Sequence, residues 1–212
     1  MDGLMVDSEP LWLESESEVT AGFGYQWQTQ DQIACLGGPL SRVGEYMSER
    51  CSGVESPAFF TQKLIELQCS KLRGKTPLMP GAIELVRELA AHGVATGLVS
   101  ASPRNIVDAV LDNLGGSPFP FSISADDVIH TKPHPDAYLL AAKKSGAEIA
   151  HSLIFEDSLV GVAAAQASGA WLIAVPHLVT VVESARVRSI RSLEQLSFSK
   201  LQELFEDFSA TI

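Results

Sequence analysis

From residue 78 onward, short apolar runs alternate with stretches whose apolar residues recur at helical spacing. Residues 94–99, 121–124, 153–155 and 171–175 are the runs, and their length and composition suit strands. Between them, 80–92, 103–114, 135–145 and 158–168 suit helices. In the first, Ile83, Val86, Leu89 and Ala90 share one face and Gly93 follows; in the second, Ile106, Val107, Val110, Leu111 and Leu114 do. Such alternation predicts an α/β fold: a parallel sheet flanked by helices on both faces. An edge strand at 189–192 and a last helix at 199–208 complete the expectation.

Residues 8–77 read differently. They contain helix-like stretches, including amphipathic ones at 41–50 and 57–72, and no convincing strand. Ser8 suits a helix N-cap, with Glu9 and Pro10 suited to the first turn. The expected organisation is therefore an α/β core of 1–7 and 78–212, with an all-helical insertion at 8–77. The linkers would be 4–7 and 75–79.

A net charge of −11 argues against a nucleic-acid partner, since phosphate backbones want clustered Lys and Arg. No apolar run reaches the roughly 18 residues of a membrane span, and no signal peptide is evident. Cys35, Cys51 and Cys69 make an odd count with no Cys-x-x-Cys pair, which points to reduced core thiols and a cytoplasmic setting. A monomer is expected. The same negative charge would repel a phosphorylated small molecule, so a site for one needs a local cation or a helix N-terminus.

Ligands of open α/β sheets bind beyond the carboxyl ends of the strands. Asp2 and Gly3, Ser100-Ala101-Ser102, Thr131-Lys132-Pro133 and Glu156-Asp157 all fall at such places. Adjacent carboxylates suit a hard cation such as Mg²⁺; the plainer role for Asp157 or Ser158 is a helix cap. The Ser100 hydroxyl, with backbone N–H groups at Ala101 and Ser102, suits a phosphoryl oxygen, or again a cap. Lys132 can act as a point charge for phosphate, or be solvated. His92, His130, His134, His151 and His177 show no metal-ligand spacing such as His-Glu-x-x-His, and are expected to be solvated or core imidazoles. Gly-x-x-x-x-Gly-Lys-Ser/Thr and Gly-x-Ser-x-Gly are both absent from the sequence.

The chain opens Met1-Asp2-Gly3-Leu4-Met5-Val6-Asp7-Ser8-Glu9. It continues with Leu98-Val99-Ser100-Ala101-Ser102, Lys132-Pro133-His134-Pro135-Asp136-Ala137-Tyr138 and Phe155-Glu156-Asp157-Ser158-Leu159-Val160-Gly161-Val162. Together these resemble the haloacid dehalogenase superfamily, in its β-phosphoglucomutase-like and sugar-phosphate phosphatase branch. The resemblance implies a Rossmann-like core and a helical cap, here 8–77. It implies hydrolysis of a small phosphomonoester through an aspartyl-phosphate. Asp2 would be the general acid/base. Mg²⁺ would be held by the nucleophile, the Asp2 backbone carbonyl and Asp157, with Glu156 close by. Ser100 and Lys132 would steady the phosphoryl oxygens, and Gly38 and Arg42 would belong to a specificity loop.

In the family's opening motif the nucleophile precedes Asp2 by two positions, at the end of a central strand. That position falls before Met1, so the first core strand and the attacking carboxylate are expected to be missing from these residues. Asp7 lies beyond the turn and is expected to cap the first helix. Two explanations stand: a start assigned to an internal Met, or a variant that cannot form the phospho-enzyme. A phosphosugar mutase and a phosphometabolite-binding module without turnover are the alternatives to a phosphatase. A further expectation is an open or irregular slot in the sheet between 94–99 and 153–155.

Overall fold

The structure is a computed structural model that describes residues 1–35, 39–74, 77–114, 116–176 and 179–210. The N-terminal helices are α1 (Glu9–Ala21), α2 (Thr29–Cys35), α3 (Leu40–Arg50) and α4 (Pro57–Gly74). The chain then alternates: α5 (Ala82–Ala91), β1 (Leu98–Val99), α6 (Arg104–Asn113), β2 (Ser122–Ile123), α7 (Asp136–Ser145), β3 (Leu153–Glu156), α8 (Leu159–Ser168), β4 (Trp171–Ala174), β5 (Val187–Ser189) and α9 (Phe198–Ala210). The α/β expectation holds, and every strand pair in the two sheets is parallel.

The strands form two separate ladders, β1-β2 and β3-β4-β5. Among the described residues no ladder joins β1 to β3. Between them lies an apolar cavity of about 870 Å³, lined by Met1, Met5, Leu98, Leu153 and Phe155 among others. The expected slot is therefore present. It also explains why only Leu98–Val99 of the 94–99 run forms a strand: one edge of that run has no partner to hold it. On the other edge Phe121 presses so close to Gly97 that a Cβ there would lie 2.3 Å from its ring.

β4 is central to its ladder, and all four of its residues are buried. The last strand is Val187–Ser189 rather than 189–192. Pairing Leu172 with Val187 buries that valine, which fixes the register two residues earlier.

α1 to α4 build a cluster of their own around Trp27, Val43, Met47, Phe60 and Leu64. Buried Asp31 ties it together. Its carboxylate accepts from the Tyr25 and Tyr46 hydroxyls and the Gln28 N–H, and pairs with Arg50 at 3.2 Å. α4 extends into the other core, where Cys69 and Leu72 join Ile106, Val107 and Val110. All three cysteines are free and buried, as expected of core thiols.

Ser8 occupies the N-cap of α1 with helical backbone angles, and its side chain makes no cap bond; no capping bond from Asp7 occurs among the described residues either. Both capping expectations are corrected, and the reason lies in where the Ser8 hydroxyl goes.

Candidate active site

The first residues cross the mouth of the slot as a tight turn. Met5 and Val6 N–H groups both reach the Met1 carbonyl, and Gly3 supplies a positive φ of 64°. The turn is anchored on both sides: Val6 is fully buried, and the Asp7 N–H donates to the Pro77 carbonyl. It holds Asp2 beside the carboxyl ends of β1 and β3.

Two hydroxyls orient the Asp2 carboxylate. Ser8 Oγ donates to Oδ1 at 2.6 Å, and Ser102 Oγ donates to Oδ2 at 3.0 Å. Charge-assisted bonds of this kind are about twice as strong as neutral ones. Ser8 therefore serves Asp2 instead of the helix. Ser100, directly after β1, is buried; its Oγ accepts the Ser102 N–H at 3.1 Å, which shapes the Ser100-Ala101-Ser102 loop.

Glu156 ends β3 and is 5% exposed. Its Oε1 accepts from Lys132 Nζ at 2.5 Å and from the Tyr138 hydroxyl; its Oε2 accepts from the Asp157 N–H and Ser158 Oγ, each at 3.2 Å. Burial alone would raise the Glu156 pKa. The Lys132 charge and the Met1 amino group outweigh it and hold the carboxyl below its ordinary range. Burial and the facing carboxylate push the Tyr138 phenol well up. Lys132 Nζ also lies 3.4 Å from the Val99 carbonyl, so it sits at the ends of both ladders. Gly161 is required here, because a Cβ would fall 2.0 Å from the Glu156 carboxyl carbon. Ser158 caps α8 through the Gly161 N–H at 3.1 Å, the plainer role considered for it.

Asp157 points the other way. Its Oδ2 would lie 2.2 Å from a Cβ on Gly3, so it is in contact with the opening turn. It takes part in no ion pair among the described residues. Burial first, and then the charges of Glu156 and Asp2, raise its pKa against the pull of the Met1 amino group.

Of the expected site residues, Asp2, Gly3, Ser100, Ser102, Lys132, Glu156 and Asp157 come together. Glu156 lies close to Asp157, with both of its oxygens hydrogen-bonded. Ala101 is exposed in the loop. Arg42 is exposed and gives its guanidinium to the Ala34 carbonyl. Gly38 lies outside the described residues. Tyr138, Ser8 and Gly161 were missed, although all three stand inside the stretches that carried the resemblance.

The sequence profile of haloacid dehalogenase-like hydrolases matches residues 1–175. The chain belongs to that family. Among its relatives in the family, hexitol phosphatase B of Escherichia coli strain K12 is 33% identical over 181 residues, covering 83% of this chain and 81% of the relative. Fructose-1-phosphate phosphatase YqaB of the same strain is 32% identical over 175 residues, covering 80% of this chain and 89% of that one. The fold is that of β-phosphoglucomutase from Clostridium difficile, with a TM-score of 0.82, 21% identity and coverage of 99% and 96% of the two chains.

Proposed function

We propose that this haloacid dehalogenase-like hydrolase acts as a Mg²⁺-dependent phosphatase of small sugar-type phosphomonoesters, through an aspartyl-phosphate. One observation carries the reading: Asp2 is fixed by Ser8 and Ser102 at the strand ends, with Asp157 against the same turn. The sugar-phosphate phosphatases among its relatives support the substrate class.

Asp157 fits a magnesium site. It is a carboxylate with a raised pKa and, among the described residues, no ion pair, and oxygen donors are what this cation takes. The Asp2 backbone carbonyl would join it. When bound, the ion would offset the negative charge of the phosphoryl group. The chain's own groups would do the rest. Asp2 donates a proton to the leaving alcohol oxygen, then takes one from the water that hydrolyses the intermediate. The Ser100 hydroxyl and the Lys132 ammonium steady the phosphoryl oxygens, and the Lys132–Glu156 pair keeps that ammonium in place. Residues 1–7 and 78–212 form the catalytic core, and 8–77 form a cap that excludes water and selects the substrate.

The attacking carboxylate belongs to the position two before Asp2, and the adjacent slot is of a kind an apolar strand ending in Asp would fill. A mutase must grip a second phosphate. Arg42, the cap cation considered for that task, is turned to a backbone carbonyl, which favours the phosphatase.

The test is a panel of hexitol and hexose phosphates, offered with Mg²⁺ to the chain extended by such a strand. Release of inorganic phosphate is expected. Isomerised sugar phosphate without phosphate release would establish the mutase instead.

A further inference from the structure

His130, His134 and Asp136 are the only group of described His, Cys, Asp and Glu residues whose possible ligand atoms all lie within 4.8 Å of one another. His130 Nδ1 lies 3.0 Å from Asp136 Oδ2, and His134 Nδ1 lies 2.9 Å from Oδ1. The two imidazole rings are 4.6 Å apart, centroid to centroid.

The cluster is built by the chain around it. Pro133 and Pro135 flank His134 and restrict its backbone. The His134 N–H donates to the Thr131 carbonyl at 3.0 Å, closing a turn that returns His134 toward His130. Asp136 is the first residue of α7, so its backbone is fixed by the helix. Lys132, midway between the histidines, points inward to Glu156 and leaves no lysine cation on the cluster.

We propose that His130, His134 and Asp136 form a surface site for a borderline transition-metal dication of the Zn²⁺ class. Two neutral imidazole nitrogens and one carboxylate oxygen match the donors such an ion prefers. Ligands bonded at about 2.0–2.2 Å in a tetrahedron sit roughly 3.3 Å apart, close to the 3.0 and 2.9 Å that separate each imidazole Nδ1 from the Asp136 carboxylate. Water completes the coordination, since both imidazoles are exposed. The site is distinct from the carboxylate site at Asp157, which favours Mg²⁺, and does not depend on the phosphatase reading. It sits on the segment that carries Lys132.

Zinc binding to the 212-residue chain, measured by competition with a chromogenic chelator in excess Mg²⁺, tests it. One equivalent with Kd on the order of micromolar is expected, weakened about tenfold or more by His130→Ala, by His134→Ala and by Asp136→Asn. The affected side chains lie at the surface, so circular dichroism of the variants should match the parent. Parent affinity weaker than about 100 µM, or unchanged affinity in both histidine variants, would overturn the proposal.

Discussion

Lys132 Nζ lies 2.5 Å from Glu156 Oε1, and both side chains are less than a tenth exposed. The Tyr138 ring packs beneath the same ammonium, 4.7 Å from its centroid. Removing one member of a buried ion pair leaves a buried charge without compensation. Lys132→Met should therefore cost about 3–5 kcal/mol in urea unfolding, and Tyr138→Phe about 1–3. A Lys132→Met chain as stable as the parent would show that this lysine does not balance Glu156.

Ser8 and Ser102 each hold one oxygen of Asp2. Hydrogen bonds to charged groups contribute about 1.5–3 kcal/mol. In the strand-extended chain, Ser8→Ala and Ser102→Ala should each lower kcat by about tenfold or more, with a smaller effect on KM. A change confined to KM would assign both serines to substrate binding rather than to positioning the acid/base.

Gly161 allows the Glu156 carboxylate to rest on the first turn of α8. The neighbouring atoms belong to a side chain that is itself pinned by four hydrogen bonds. Gly161→Ala should destabilise by about 1–3 kcal/mol despite its better helix propensity. Thermal unfolding decides: a raised Tm would mean that Glu156 can step aside.

Glu16 lies buried on α1, its pKa raised to about 7 by burial and by the charge of Glu9, with its Oε2 lacking a hydrogen-bond partner. A carboxyl whose folded pKa exceeds its unfolded value of 4.5 stabilises below that value, and loses the contribution as pH rises toward 7. Glu16→Gln removes the titration. Its stability relative to the parent should rise by about 3 kcal/mol across that window and level off above it. A difference independent of pH would mean that Glu16 titrates normally.

The core and its chemistry were legible in unequal parts. Helices were readable because their apolar residues repeat, as in α6, and because glycines mark their ends, as Gly146 does for α7 and Gly169 for α8. Strand ends were less so: β1 shortens for want of a neighbour, which no local pattern encodes. The site residues were found through ordered motifs, yet those motifs do not say which way a side chain turns. Glu156 stands beside Asp157 in the sequence, and only the approach of Lys132 and Tyr138 from distant segments shows what its Oε1 accepts. Ser8 looked like a cap because the residue type suits one; its partner Asp2 became visible only with the turn in three dimensions. The histidines carried no recognisable ligand spacing, because a proline-built turn rather than a helix brings them together.

The central claim is that Asp2 and Asp157 serve phosphoryl transfer to a carboxylate placed two residues before Asp2. The most direct measurement compares Mg²⁺-dependent phosphate release by the chain carrying an apolar strand that ends in Asp two positions before Asp2 with release by the same chain carrying Asp2→Asn. Turnover should be substantial in the first and lower by about 10²–10⁴ in the second. An Asp2→Asn chain as active as its parent would contradict the account.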